Sequence, residues 1–199
     1  MASISDSFLA LDYAAELGVD AVNMSIGSSP EPPQTNSEGF RVSRERVVRS
    51  VVRRGTSVVT SAGNDATNLQ HGGWVALWGS LQGTVSASAT DADDQLASFS
   101  NYGTGEIDVA APGVSVLSSI PVDFAEQIGF PRPYGLLSGT SMSSPQVTGL
   151  VGLVKELDPE LNPSQVERAI KDGAELSDGE SHPEYGAGRV NALNTVDGL

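Results

Sequence analysis

With 199 residues, 39% hydrophobic content and 22 glycines, the chain is sized for one domain with a substantial core and many loops. Asp and Glu number 25 against 11 Lys and Arg, and the resulting charge of −14 repels nucleic-acid phosphates and argues against a nucleic-acid partner. Cysteine is absent, which excludes disulfides and thiolate metal sites. No apolar run reaches bilayer-spanning length, so no membrane partner is expected, and Met1–Asp6 offers neither a basic region nor an apolar signal core.

The chain order begins with a helix capped near Ser5 or Asp6 and running to about Leu17, with Phe8, Leu11 and Ala15 on one face and Gly18 as its stop. Asp20–Ile26 reads as a short strand ending at Gly27. A polar, proline-bearing loop, 28–39, leads to a helix ending at Arg54. Val47, Val48, Val51 and Val52 should face inward there, and Arg44, Arg46, Arg49 and Arg53 largely outward. Thr56–Ser61 is a second strand, ending in Ala62-Gly63-Asn64. Strand, helix and strand within some forty residues describe a parallel βαβ unit, and ligands bind at the carboxyl ends of parallel strands. Ser25-Ile26-Gly27 and Ala62-Gly63-Asn64 are therefore expected side by side at one rim of the sheet.

Beyond Asn64 the chain reads as irregular to Gly83, with Trp74 and Trp78 inside that stretch. Strand-like pieces follow at Thr84–Ala89, Ile107–Ala110 and Ser115–Ser119, and Pro131 and Pro133 mark a loop. A long helix from about Ser141 to Leu157 has Val147, Leu150, Val151 and Val154 as its apolar stripe. Asn162 caps a further helix that starts with Pro163, and Gly186–Asn191 is a turn into a last short helix. The fold class is α/β, a largely parallel sheet flanked by helices, within a single domain.

The chemistry-bearing stretch is Ser138-Gly139-Thr140-Ser141-Met142-Ser143-Ser144-Pro145. A helix starting near Ser141 sets that hydroxyl among unpaired backbone N–H groups at the positive end of a helix dipole. An oxyanion formed on a substrate there would meet ready donors. Taken alone, the same pattern also describes an ordinary helix cap.

Three segments together resemble the subtilisin-like serine proteases, the subtilases. Gly139-Thr140-Ser141-Met142-Ser143-Ser144-Pro145 resembles the nucleophile motif, Ser61-Ala62-Gly63-Asn64 the oxyanion asparagine motif, and Asn23-Met24-Ser25-Ile26-Gly27 the strand lining the peptide cleft. Ala97–Gly103, Asp108–Gly113 and Tyr185–Asn191 add matches in the family's order. The resemblance implies a subtilisin-like α/β domain in which Ser141 attacks the scissile carbonyl and Asn64 donates its amide to the oxyanion. It implies that Ser25, Ile26 and Gly27 pair with substrate backbone, and that Ser61, Ala62 and Gly63 wall the pocket for the residue before the cleaved bond. It implies further a peptide or protein as substrate and no cofactor for the chemistry. Structural calcium and export are common in the family, and neither carries over to this chain.

The family's nucleophile works with a histidine oriented by an aspartate, in the chain order Asp, His, Ser. Both should precede the cleft strand, and no Asp-Ser/Thr-Gly or His-Gly-Thr-His motif is present. His71 follows Asn64, and His182 lies near the C-terminus, so neither stands where the base belongs. The expectation is a C-terminal portion, 1–199, of one catalytic domain, missing its N-terminal strands and inactive alone. The alternatives are a catalytically silent peptide- or protein-binding relative and a half-domain that needs a separate N-terminal segment. Trp74–Gly83 departs from the family pattern beside the specificity pocket, and Gln146 stands where many relatives carry a histidine outside the triad. Asp91, Asp93 and Asp94 form an acidic cluster, read as a solvated loop in preference to a cation site. The acidic surface itself suits high salt.

Overall fold

The computed structural model describes residues 4–27, 37–70, 78–79, 81–130, 132–176 and 182–199. His71 and Trp74 lie outside them. The elements in order are α1 (Ile4–Glu16), β1 (Ala21–Met24), α2 (Ser37–Arg53), β2 (Ser57–Ser61), β3 (Thr84–Thr90) and β4 (Val109–Pro112). There follow β5 (Val116–Ser119), α3 (Val122–Gln127), β6 (Tyr134–Leu137), α4 (Thr140–Leu157), α5 (Pro163–Asp172) and α6 (Ala192–Asp197).

Strands β1-β2-β3-β4 form a parallel sheet in that order, with β2 and β3 buried along their whole length. Burial on both faces follows from helices on both sides, and side chains of β2 alternate between them. Val59 faces a cluster with Val147, Val151 and Val154 of α4 and Val166 and Ile170 of α5. Its neighbour Val58 faces the opposite cluster, with Leu11, Ala15, Val48, Val51 and Trp78. Trp78 is 2% exposed and meets Phe8 edge-to-face at 6.0 Å, so the tryptophan that breaks the family pattern fills core between α1 and the sheet.

Helix ends follow local chemistry. Asn162 caps α5 with a reciprocal box, its side chain accepting from Ser164 and Gln165 N–H while Gln165 accepts from Asn162 N–H. Asn191 caps α6 by accepting from Asn194 N–H. Two sequence expectations need correction. Arg44 is 3% exposed and does not face outward, because 44, 48 and 51 fall at i, i+4 and i+7 on the buried stripe of α2. The stretch around Pro133 is more than a loop: α3 precedes it, and β6 pairs antiparallel with β5 to form a separate two-stranded ribbon.

Candidate active site

The register of β1 and β2 matches Met24 with Thr60, so both strands end at the same rim of the sheet. Residues 25–27 and 62–64 leave from that rim, beyond the strands proper. The N-terminus of α4 arrives there from Gly139, bringing Ser141 into its first turn. Pro145 lies past the first turn, where it has no N–H to offer the Ser141 carbonyl, and the Ser25 hydroxyl donates to that carbonyl at 3.0 Å.

Ser141 is partly exposed, and its Oγ lies 3.5 Å from the Ser25 carbonyl oxygen. The Ser25 hydroxyl fastens the cleft segment to the helix. It donates to the Ser141 carbonyl at 3.0 Å and lies 2.8 Å from Ser144 Oγ, while Asn23 Nδ2 donates to it at 2.9 Å. Ile26 is 40% exposed and Gly27 is exposed, so their backbone is open to solvent.

Asn64 is exposed, yet its orientation is fixed by Thr140, which is fully buried. Asn64 Oδ1 accepts from Thr140 N–H and from Thr140 Oγ1, each at 2.9 Å. Thr140 Oγ1 in turn accepts from Gly63 N–H at 3.1 Å. With its oxygen so engaged, the amide nitrogen faces Gly139. A Cβ placed on Gly139 would lie 3.5 Å from Asn64 Nδ2 and 3.7 Å from Ser141 N, so the two nitrogens border one small space.

Behind Asn64 stands Asn101, fully buried, whose contribution the sequence pattern had hidden inside a supporting match. Its Oδ1 accepts from Asp65 N–H and Thr67 N–H at 3.0 Å each, and its Nδ2 donates to the Ala62 carbonyl at 3.0 Å. Asn101 N–H also donates to the Gly63 carbonyl. One side chain thus shapes the whole 62–67 turn. Gly63 has φ +102°, and a Cβ there would fall 2.3 Å from Asn101 Nδ2, so glycine is required by both backbone and space. Ser61 and Ala62 are buried, and Gly79 packs against the Ser61 carbonyl, where a Cβ would lie 3.1 Å from it.

The other singled-out groups have structural partners. Gln146 Nε2 donates to the Pro112 and Met142 carbonyls. Asp91 Oδ1 accepts from Asp93 and Gln95 N–H, and Asp94 pairs with Arg189 at 2.7 Å. His182 Nδ1 accepts from Glu184 N–H and its ring lies against Tyr185, in a turn whose Pro183 carbonyl accepts from Gly103 N–H. Among the described residues, no cluster of three or more His, Asp or Glu is arranged as a metal site, and no helix is long and apolar enough to cross a membrane.

A serine in the first turn of a helix, an asparagine amide beside it and a parallel sheet under both form the candidate site, and comparison with known proteins gives its family. The model of the subtilase family matches residues 3–188, and the chain belongs to that family. It is 36% identical over 178 residues to an extracellular protease of Xanthomonas campestris, covering 87% of this chain and 27% of the relative. It is 34% identical over 190 residues to subtilisin Savinase of Lederbergia lenta, covering 96% of this chain and 61% of the relative. Among solved structures, a lanthipeptide protease superposes with a TM-score of 0.84 at 24% identity, over 97% of this chain and 65% of that one. The chain thus spans less than two thirds of the length of these relatives.

Proposed function

We propose that this chain supplies the nucleophile and oxyanion-binding portion of a subtilisin-class serine endopeptidase. The observation that carries the reading is the shared space at Gly139, bordered by Asn64 Nδ2 and Ser141 N beside the Ser141 hydroxyl. A scissile carbonyl with its oxygen in that space would have its carbon next to Ser141 Oγ. Attack would form the Oγ–C bond as a general base takes the hydroxyl proton, and the tetrahedral oxyanion would accept from both nitrogens. Collapse would break the C–N bond, the amine leaving with that proton, and give an acyl-enzyme that water then hydrolyses.

The segment Ser25-Ile26-Gly27, exposed at Ile26 and Gly27, would pair with the substrate as an added strand. Ser61, Ala62 and Gly63 would wall the pocket for the residue before the cleaved bond. Peptide or protein is the substrate, and no cofactor is needed for these steps.

Among the described residues, none is hydrogen-bonded to Ser141 Oγ as a general base. Ser141 Oγ has a backbone carbonyl as its hydrogen-bond partner, and His182 is engaged in its own turn. We infer that residues 1–199 form the C-terminal portion of the catalytic domain and are inactive without an Asp- and His-bearing segment. The same observation on Ser141 favours, as second reading, a catalytically silent relative that binds peptides in the surviving cleft.

Fluorophosphonate labelling of Ser141 separates these. The 199-residue chain should remain unlabelled, and the product of an upstream-extended coding sequence, or the chain mixed with a segment supplying Asp and His, should label. Labelling of the 199-residue chain alone overturns the missing base. No labelling in any of these forms overturns the protease reading and leaves the binder.

A further inference from the structure

Proton counting around Ser25 leaves its hydroxyl a single arrangement. In a regular helix the Ser141 carbonyl would accept from the N–H of residue 145, and Pro145 has none. The Ser25 hydroxyl donates to that carbonyl, at 3.0 Å. Asn23 Nδ2 donates to Ser25 Oγ at 2.9 Å, and Ser144 Oγ lies 2.8 Å from it. A hydroxyl carries one proton and two lone pairs. Because a carbonyl can only accept, the Ser25 proton is committed to Ser141, and the Ser144 hydroxyl must be the donor to Ser25. One donated and two accepted bonds saturate Ser25 Oγ.

The groups that feed Ser25 are themselves held. Ser144 is fully buried. Thr148 Oγ1 lies 3.4 Å from Asn23 Oδ1, so both ends of the Asn23 amide are engaged. The donors therefore run one way, from Asn23 and Ser144 through Ser25 to the Ser141 carbonyl. Just before Ser141 in the chain, Thr140 N–H donates to Asn64 Oδ1 at 2.9 Å. The backbone is thus tied on both sides of Ser141. Pinning the carbonyl fixes the rotation of the peptide unit that leaves Ser141, and with it the placement of the Cα–Cβ bond that carries Oγ.

We propose that the Ser25 hydroxyl is a positioning group for Ser141. It stands in for the helical N–H that Pro145 lacks and holds Oγ against the space bordered by Asn64 Nδ2 and Ser141 N. The role is separate from any pairing of the Ser25 backbone with substrate, and it rests on the protease reading of Ser141. With its proton and both lone pairs engaged, Ser25 Oγ has nothing to offer a substrate and acts through Ser141 alone. Misplacing a reacting atom by about 1 Å costs about 10²-fold in rate, and a fraction of that shift should cost about tenfold.

The test uses the upstream-extended product and a tetrapeptide p-nitroanilide. Fluorophosphonate titration counts competent sites, so kcat is read per site. Ser25→Ala should lower kcat about tenfold with KM held within about twofold. Ser25→Thr keeps the hydroxyl and should restore kcat. Ser25→Ala combined with Pro145→Ala gives the Ser141 carbonyl an N–H from its own helix and should recover most of the loss. A hydroxyl that only fastened the cleft segment would instead raise KM and lower the melting temperature, and an N–H at residue 145 would not repair either.

An unchanged kcat in Ser25→Ala overturns the proposal. So does a rise in KM alone, an equal loss in Ser25→Thr, or a loss that Pro145→Ala leaves unrepaired. Failure of the protease reading shows earlier, in an unsubstituted product that neither labels nor turns over the anilide, and that result removes both. A product that labels and turns over, with Ser25→Ala indistinguishable from it, keeps the protease and removes the positioning role.

Discussion

The side-chain oxygen of Asn64 accepts hydrogen bonds from both the backbone N–H and the hydroxyl of Thr140, each at 2.9 Å. An exposed amide is thereby oriented by a buried residue next to Ser141, and the Thr140 hydroxyl also receives Gly63 N–H. Thr140→Val keeps the shape and removes the hydroxyl, leaving Gly63 N–H without its partner and Asn64 with half its anchor. The expected loss is about 1–3 kcal/mol of stability, read by urea denaturation. Thr140→Ser should recover most of it. In an active form of the protein, Asn64→Ala should lower kcat by about 10²–10³, the magnitude measured for this type of donor in subtilisin, with little change in stability because Asn64 is exposed.

Asn101 offers a sharper contrast between donor and acceptor. Asn101→Leu strips the partners from Asp65 N–H, Thr67 N–H and the Ala62 carbonyl, and should cost about 3 kcal/mol or more. Asn101→Asp keeps both acceptor contacts but turns a carboxylate toward the Ala62 carbonyl and the Asp65 carboxylate, now 3.0 and 3.5 Å from Nδ2. Its cost relative to wild type should be larger at pH 7 than at pH 4, where the protonated acid can donate as the amide does. Equal costs at the two pH values would show that the Nδ2 donation is immaterial.

Periodicity made the helices and the central strands legible. Val147, Leu150, Val151 and Val154 are all buried on α4 as their spacing implies, and the capped start of α5 at Asn162-Pro163 is where the sequence puts it. The rim that gathers residues 25–27 and 62–64 also followed from strand order alone. Arg44 was not legible as buried because its charge favours solvent, whereas its place in line with Val48 and Val51 puts it on the buried stripe of α2. The ribbon escaped because Val122–Leu137 mixes prolines, glycines and apolar residues with no sustained period, and β6 acquires its structure only by pairing with β5. The anchoring of Asn64 by Thr140, and of the turn by Asn101, depends on residues far apart in the chain, and no local pattern encodes such contacts.

The alkaline limb of stability should report on Lys171. Burial alone lowers its pKa, but the charge and hydrogen bond of Asp108, at 2.6 Å, and then Glu167, at 2.5 Å, outweigh burial and raise it above the ordinary lysine range. A raised folded-state value means stability that is complete below the unfolded lysine pKa and is lost as pH rises through the folded one. Denaturation midpoints should therefore fall on the alkaline side, and Lys171→Met should flatten that limb while costing about 1–2 kcal/mol at neutral pH, as befits a half-buried pair. Glu175 acts at the other end. Hydrogen bonds from Arg189 and then Asn191 hold its carboxyl below the ordinary range, so its contribution is present above the unfolded carboxylate pKa and lost as pH falls through the folded one. Glu175→Gln should reduce the acid sensitivity.

Salt should stabilise the chain, although it weakens every ion pair just described. Exposed pairs such as Arg189–Asp94 and Arg54–Asp12 contribute about 0–1 kcal/mol each, and screening removes only part of that. Against them stands the mutual repulsion of a chain with 25 acidic and 11 basic residues. Raising ionic strength from about 0.1 to 1 M shortens the screening length from about 10 to 3 Å, which suppresses long-range repulsion more than contact pairs. The melting temperature should rise across that range by equal amounts in NaCl and KCl, since screening depends on ionic strength and not on the cation. A flat or falling curve would mean that the ion pairs outweigh the repulsion. A rise in one salt alone would point to site binding of that cation in place of screening.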